Sequence, residues 1–307
     1  MKIGVVGAGA MGSLFGSLLA EAGNEVWLCD IREDHIQVVS QDGLMVEYEA
    51  KTRNVRLNAT TNPDKIGKCE LVLIFVKSTQ TESAAKTAAQ LSGRNGFVMT
   101  LQNGMGNADA IAATVESNRI LVGTTSHGAT LLGAGNIRHA GKGPTIIGIW
   151  GGADPEFKIA RHTAALFTQA GIETTAVEDI RAVIWDKLLV NVGINAITAL
   201  TGIKNGQILD LESTRELSCL AVEEAAAVAR ARGVEIGEDP MSRVFQVAVA
   251  TAPNRSSMGQ DADHRRPTEI GSINGFVVRE AGRMGLAAPV NQTLTALVET
   301  MEAHYKD

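Results

Sequence analysis

The chain opens MKIGVVGAGAMG, where an apolar run from Lys2 to Val6 meets Gly7, Gly9 and Gly12 at the entrance to a helical pattern from Ser13 to Ala22. Glycines spaced GxGxxG between a strand and a helix leave few options. The first permits a tight turn, the second lets a phosphate approach the backbone, and the third lets helix and strand pack closely. Free N–H groups at the helix start, around Ala10 and Met11, add partial positive charge. A second apolar run, Glu25 to Cys29, ends at Asp30. Strand, glycine turn, helix, strand and acidic residue together form the opening βαβ unit of a dinucleotide-binding fold.

The alternation continues. Glu70 to Val76, Gly96 to Gln102 and Ile120 to Thr125 read as strands, and Thr81 to Leu91 as a helix. Such alternation predicts a parallel sheet covered on both faces. Gly43 to Asn58 alternates apolar and polar residues about a polar centre, which predicts a β-hairpin inserted in the wound sheet, and Asn136 to Ile149 is a further extended stretch. After Asp179 the periodicity is helical, broken only near 202–206, 233–239 and 253–255. The expected class is α/β: an N-terminal Rossmann doubly wound sheet over residues 1–177, followed by an all-α C-terminal domain over 178–307. A length of 307 residues suits two domains.

Composition excludes several partners. The net charge is −6 with scattered Lys and Arg, and aromatics are only 4%. Neither a nucleic acid nor an acidic membrane surface is an expected partner. Cys29, Cys69 and Cys219 show no CxxC spacing, so no metal set is read and a reducing, cytoplasmic setting is expected. Cys29 and Cys69 lie in apolar runs and read as buried, inert thiols. No uninterrupted apolar run reaches the length of a membrane span.

Within Ile184 to Ala196, Lys187, Asn191 and Asn195 recur every four residues. On a helix they share one face, flanked by apolar neighbours. Asn is a poor helix former and a buried Lys is costly, so the stripe reads as a site. Partial burial would bring the lysine pKa toward neutrality and suit it to act as a general acid, with the asparagines holding a substrate hydroxyl. LQNGMG, Leu101 to Gly106, follows a strand at the carboxyl edge of the sheet, where α/β sheets bind ligands. Ser256 to Asp261 reads as a loop with an N-cap serine at a helix start. Two signals for the dinucleotide conflict. Asp30 suits a ribose 2′-hydroxyl and so NAD, whereas Arg32 suits a 2′-phosphate and so NADP.

GxGxMG at Gly7 to Gly12, Val76-Lys77, LQNGMG, KLLVNVGINAITALTG from Lys187, and SSM followed by PTEI and ING together resemble the ketopantoate reductase family over nearly the full length. The resemblance implies a Rossmann domain and a helical domain with substrate in the cleft between them. It further implies NADPH-dependent reduction of a 2-oxo acid, ketopantoate, on the route to pantothenate and coenzyme A. Position by position, Lys187 resembles the catalytic acid, and Glu269 the carboxylate that binds the substrate hydroxyl and helps hold the lysine. Asn191, Asn195 and Ser257 resemble substrate-binding residues, and Asn205 a further one. Asn103 resembles the asparagine near the nicotinamide, and Lys77 a lysine on the cofactor side. Two departures stand out: PTEI continues with Gly271-Ser272 where the family commonly has Asp and Tyr, and Asp30 precedes Arg32. The apolar helical half is compatible with a homodimer.

Overall fold

The computed structural model describes residues 1–49, 51–151 and 154–306. Residue 50, in the expected hairpin, and residue 307, in the expected helical domain, lie outside the described residues. The first part of the chain runs β1 (Lys2–Val6), α1 (Ala10–Glu21), β2 (Glu25–Cys29), α2 (Glu33–Asp42), β3 (Leu44–Tyr48), β4 (Lys51–Val55), β5 (Asn58–Thr60), β6 (Leu71–Ile74) and α3 (Thr81–Ser92). It continues with β7 (Phe97–Thr100), α4 (Asn107–Ala112), β8 (Ile120–Thr125), β9 (Gly128–Gly133), β10 (Asn136–Gly141), β11 (Thr145–Ile149), α5 (Asp154–Gln169) and β12 (Thr174–Ala176).

Among the described residues, one sheet has eight strands in the order β12, β11, β8, β7, β6, β1, β2, β5. Its centre is parallel, with Val5 opposite Leu28 on one side and Leu73 on the other. These central strands are buried on both faces, as their continuous apolar runs require. The sheet is not parallel throughout, since β11 runs antiparallel to β8. The expected hairpin forms from β3 and β4, but not inside the wound sheet. It belongs to a separate four-stranded sheet ordered β4, β3, β10, β9. Alternation identifies a strand with one buried face and says nothing about which sheet it joins.

Against this second sheet packs Phe15 of α1, fully buried and worth ~1.5–3 kcal/mol of apolar transfer. Its ring meets His127, which stacks on His139 of β10 and shares a 3.1 Å hydrogen bond between its Nδ1 and His139 Nε2. Burial, reinforced by neighbouring His139 and Lys142, pulls the His127 pKa down to about 4. Unfolding would return it to its ordinary value near 6.5, so the unfolded chain binds the extra proton. Stability is therefore intact above that value and declines as pH falls from 6.5 toward 4. The loss from this residue is expected to reach about 3 kcal/mol. Melting temperatures of wild type and His127→Gln followed across that range should converge on acidification; a constant offset would refute the assignment.

The remaining helices are α6 (Ile180–Thr201), α7 (Glu212–Ala231), α8 (Pro240–Ala250), α9 (Ser257–Asp263), α10 (Asn274–Arg283) and α11 (Pro289–Ala303). The described residues divide into two compact units: Met1–Gln102 with Asn107–Ile180, and Asn103–Gly106 with the chain from Arg181 onward. The second unit has its own core, with Trp185, Leu189, Val192, Val222, Val277 and Val298 all essentially inaccessible. Several polar groups there are paired: Glu224 accepts the Val290 and Asn291 N–H groups at the start of α11, and Asn274 Nδ2 donates to Asn291 Oδ1. Helix α6 has the length and mean hydropathy, 1.4 over its most apolar window, of a membrane span, yet 67% of that window is buried within the fold. It is a core helix.

Candidate active site

In the first unit, the three glycines of the opening motif differ in what the protein itself demands of them. Gly7 has φ +98°, and a Cβ there would lie 2.8 Å from the backbone of Phe75 and Val76. At Gly12 a Cβ would lie 1.9 Å from the Gly7 carbonyl oxygen and 3.2 Å from Val5. Both positions exclude any side chain on internal grounds. Gly9 is different: its φ and ψ, −67° and −167°, suit any residue, and a Cβ would meet nothing within 4 Å. The space over Gly9 is an open cradle at the start of α1, where the first-turn N–H groups of Ala10 and Met11 have no intrahelical acceptor. A pyrophosphate fits those donors.

The Asp30 carboxylate accepts the Ala8 N–H at 2.6 Å through Oδ2 and the Arg32 N–H at 3.0 Å through Oδ1. Each oxygen is engaged in shaping the loop and keeps a further lone pair. Arg32 is part-exposed, with its guanidinium 3.7 Å from the exposed Asp34 carboxylate. A surface pair at that distance holds it only weakly. Lys77 is exposed and precedes the short turn Ser78–Gln80 that follows β6. Gln102, read from sequence only as part of LQNGMG, is a clasp: its amide donates to the Val76 carbonyl at 2.7 Å and to Thr81 Oγ1 at 2.9 Å, and its Oε1 accepts from Thr100 Oγ1.

In the second unit, α6 approaches α7 and α8 closely at Gly193, where a Cβ would lie 2.9 Å from Ser218, Val222 and Val244. That contact sets the rotation of α6 about its axis. Lys187 and Asn191 are part-buried on it, and Asn195 is 5% exposed. Asn195 Nδ2 has no hydrogen-bond partner among the described residues. An orphaned buried donor costs ~1–3 kcal/mol, and an acceptor on a bound ligand would relieve it. Desolvation lowers the Lys187 pKa to about 8, opposed by the Glu269 carboxylate, which favours the ammonium. Glu269 is 9% exposed and accepts from Asn103 Nδ2 at 3.3 Å. Asn103 reaches it because Asn103–Gly106 packs with this unit, Met105 N–H bonding the Ser272 carbonyl at 2.8 Å. Gly104, at φ +75°, lies against Ser272 so closely that a Cβ would sit 2.7 Å from it. Lys187, Glu269 and Asn103, far apart in sequence, are thus brought to one place.

The serine pair divides its tasks. Ser256 caps α9, accepting from Gly259 N–H at 2.9 Å, and bonds Thr198 Oγ1 at 2.6 Å. Ser257 is left exposed on the first turn. Arg255, which sequence reasoning missed, ties this turn to the end of α6: Nη1 donates to the Thr198 and Ile203 carbonyls, both at 2.7 Å, and Nε and Nη2 grip Asp263. Its place beside a serine cap and a helix end is the only sequence signal it leaves. Asn205 stands apart, donating from Nδ2 to Thr251 Oγ1 and from its N–H to the Asn254 carbonyl. Those bonds brace the loop before Arg255, and the buried Asn205 Oδ1 has no partner among the described residues.

The chain is similar to known proteins along nearly its whole length. The profile of the ketopantoate reductase PanE/ApbA family matches residues 3–152, and that of its C-terminal domain matches residues 179–302. A 2-dehydropantoate 2-reductase of Halobacterium salinarum is 41% identical over 300 residues, covering 97% of this chain and 98% of its own. One from Pyrococcus abyssi is 36% identical over 304 residues, covering 99% and 98%. Among solved structures, a PanE/ApbA family ketopantoate reductase from Ralstonia eutropha superposes with a TM-score of 0.91 at 31% identity, covering both chains fully. A D-mandelate dehydrogenase in ternary complex with NADH and anilino(oxo)acetate gives 0.93 at 28% identity, again over both full chains. With both family profiles and full-length relatives matched on this scale, the chain belongs to the ketopantoate reductase family.

Proposed function

We propose that this protein reduces ketopantoate to pantoate with NADPH, residues 1–177 holding the dinucleotide and residues 178–307 the groups that act on the substrate. The observation that carries the reading is a desolvated Lys187, its pKa lowered to about 8 beside Glu269, on the same helical face as Asn191 and Asn195. When bound, the reduced nicotinamide supplies the hydride. Lys187 delivers a proton to the substrate oxygen and places positive charge where the alkoxide develops. With a pKa near 8, roughly nine in ten copies of the lysine are protonated at pH 7, yet each is a stronger acid than a solvated ammonium. Glu269 steadies the charged lysine and accepts from the substrate hydroxyl, and Asn103 orients Glu269. Asn191, Asn195 and Ser257 hold the hydroxyl and carboxylate without adding negative charge. Gly7, Gly9, Ala10, Met11 and Gly12 cradle the pyrophosphate, with Lys77 on the same side.

NADPH is favoured over NADH because Arg32 is only weakly held and is free to meet a 2′-phosphate. A specific second reading comes from the D-mandelate dehydrogenase likeness: an NADH-dependent reductase of a different 2-oxo acid. One experiment separates them. Purified protein is given ketopantoate or phenylglyoxylate with each reduced dinucleotide, alongside Arg32→Ala. Ketopantoate with NADPH should be the fastest pair, and Arg32→Ala should raise the KM for NADPH at least about tenfold, as expected for a charge-assisted phosphate contact, while leaving that for NADH within about twofold. Preference for phenylglyoxylate with NADH, or equal losses for both dinucleotides, would favour the second reading.

A further inference from the structure

A chain of hydrogen bonds runs from the second sheet of the first unit to the glycine loop, and each proton in it is assigned by the partners. The Gly135 N–H, in the turn between β9 and β10, donates to His35 Nδ1 at 3.1 Å. That nitrogen is therefore a bare acceptor, and the neutral ring carries its proton on Nε2. His35 Nε2 lies 3.1 Å from Ser13 Oγ, whose own proton goes to the Ala8 carbonyl at 3.0 Å. His35 and Ser13 are both completely buried, so neither has water as an alternative partner. The other side of Ala8 is held as well, its N–H by Asp30.

The Ala8 carbonyl shares a planar trans peptide with the Gly9 N–H, and the two point in opposite directions. Whatever holds the carbonyl aims that N–H. We propose that His35 is a positioning residue for dinucleotide binding, acting through Ser13 and Ala8 to aim the Gly9 N–H into the cradle beside it. The inference rests on the dinucleotide reading given above. It also accounts for Gly135, at φ +67°, where a Cβ would lie 2.3 Å from Val38 of α2: the turn is pressed onto the helix that carries His35.

The two ends of the imidazole can be tested separately. In His35→Gln the side-chain amide reaches the Nε2 position and can donate to Ser13, whereas in His35→Asn the shorter side chain satisfies Gly135 N–H and ends short of Ser13. Dissociation constants for NADPH and NADH, read from nicotinamide fluorescence, should stay within about threefold of wild type in His35→Gln and rise at least about tenfold in His35→Asn, the scale of one buried hydrogen bond. Melting temperatures of the two variants should be similar, since each keeps one of the two bonds. Wild-type affinity in His35→Asn, or equal loss in both variants, overturns the proposal. If His35→Asn does not fold, Ser13→Ala cuts the same chain one link later and should weaken both dinucleotides equally; unchanged affinity there overturns it too. A wild-type protein that binds neither dinucleotide overturns the dinucleotide reading itself and this proposal with it.

Discussion

Replacing Lys187 with Ala should lower kcat by about 10⁴-fold or more, the upper end of what a general acid supplies, because the same ammonium also neutralises the developing alkoxide. The KM for the 2-oxo acid should change far less, since the proposed substrate ligands Asn191, Asn195, Ser257 and Glu269 remain. A loss concentrated in kcat marks an interaction made in the transition state. Dinucleotide affinity should be unaffected. The pH profile provides an independent check. On the proposed mechanism the lysine works as its protonated form, and with its pKa lowered to about 8 the wild-type rate should fall as pH rises through about 8 rather than near the ordinary lysine value of 10.5. The residual activity of Lys187→Ala should lack this alkaline limb. Retention of more than about a tenth of wild-type kcat, too small a loss for a general acid, would mean that another group delivers the proton.

The second large effect is expected at Gly9. Because a Cβ there meets nothing within 4 Å and the backbone conformation is an ordinary one, Gly9→Val should fold normally. Its two added methyls project into the cradle, and dinucleotide affinity should fall at least about a hundredfold, the scale of losing close phosphate contacts to backbone N–H groups. Gly12→Ala provides the contrast. Its Cβ would overlap the Gly7 carbonyl oxygen at 1.9 Å, so this variant should lose thermal stability before any ligand is added. Calorimetric titration with NADPH and a melting curve for each variant separate the two cases. A Gly9→Val protein that binds dinucleotide like wild type would remove the glycine loop from the site.

The periodic features of this chain were the legible ones. The four-residue spacing of Lys187, Asn191 and Asn195 specifies a shared face, and α6 carries all three. The strand, glycine turn and helix at the start likewise follow from local rules, and β1, α1 and β2 form there. What local rules leave open is the choice of partner. The hairpin of β3 and β4 joins a second sheet because β3 pairs with β10, a contact spanning about ninety residues that alternation cannot encode. Asp30 shows in sequence only as an acid at a strand end, and the fold adds that both its oxygens accept backbone N–H groups. His35 sits between solvent-facing acids and the buried Ile36 and Val39, where a histidine gives no sign of the relay it joins. Ser256 and Ser257 are indistinguishable as letters; helix geometry makes one a cap and leaves the other exposed.

The attachment of Asn103–Gly106 to Glu269 and Ser272 also has a temporal side. Asn103 and Glu269 are 166 positions apart. At the pace of translation, the short segment emerges roughly ten to thirty seconds before the groups that bond it. The strand and the helix on either side of it can pair with neighbours already synthesised, while Asn103 and the Met105 N–H wait for the last fifth of the chain. Assembly of the Asn103–Glu269–Lys187 cluster is therefore a late event in the life of each new molecule, and a nascent chain released before Glu269 carries Lys187 without the carboxylate that favours its charge.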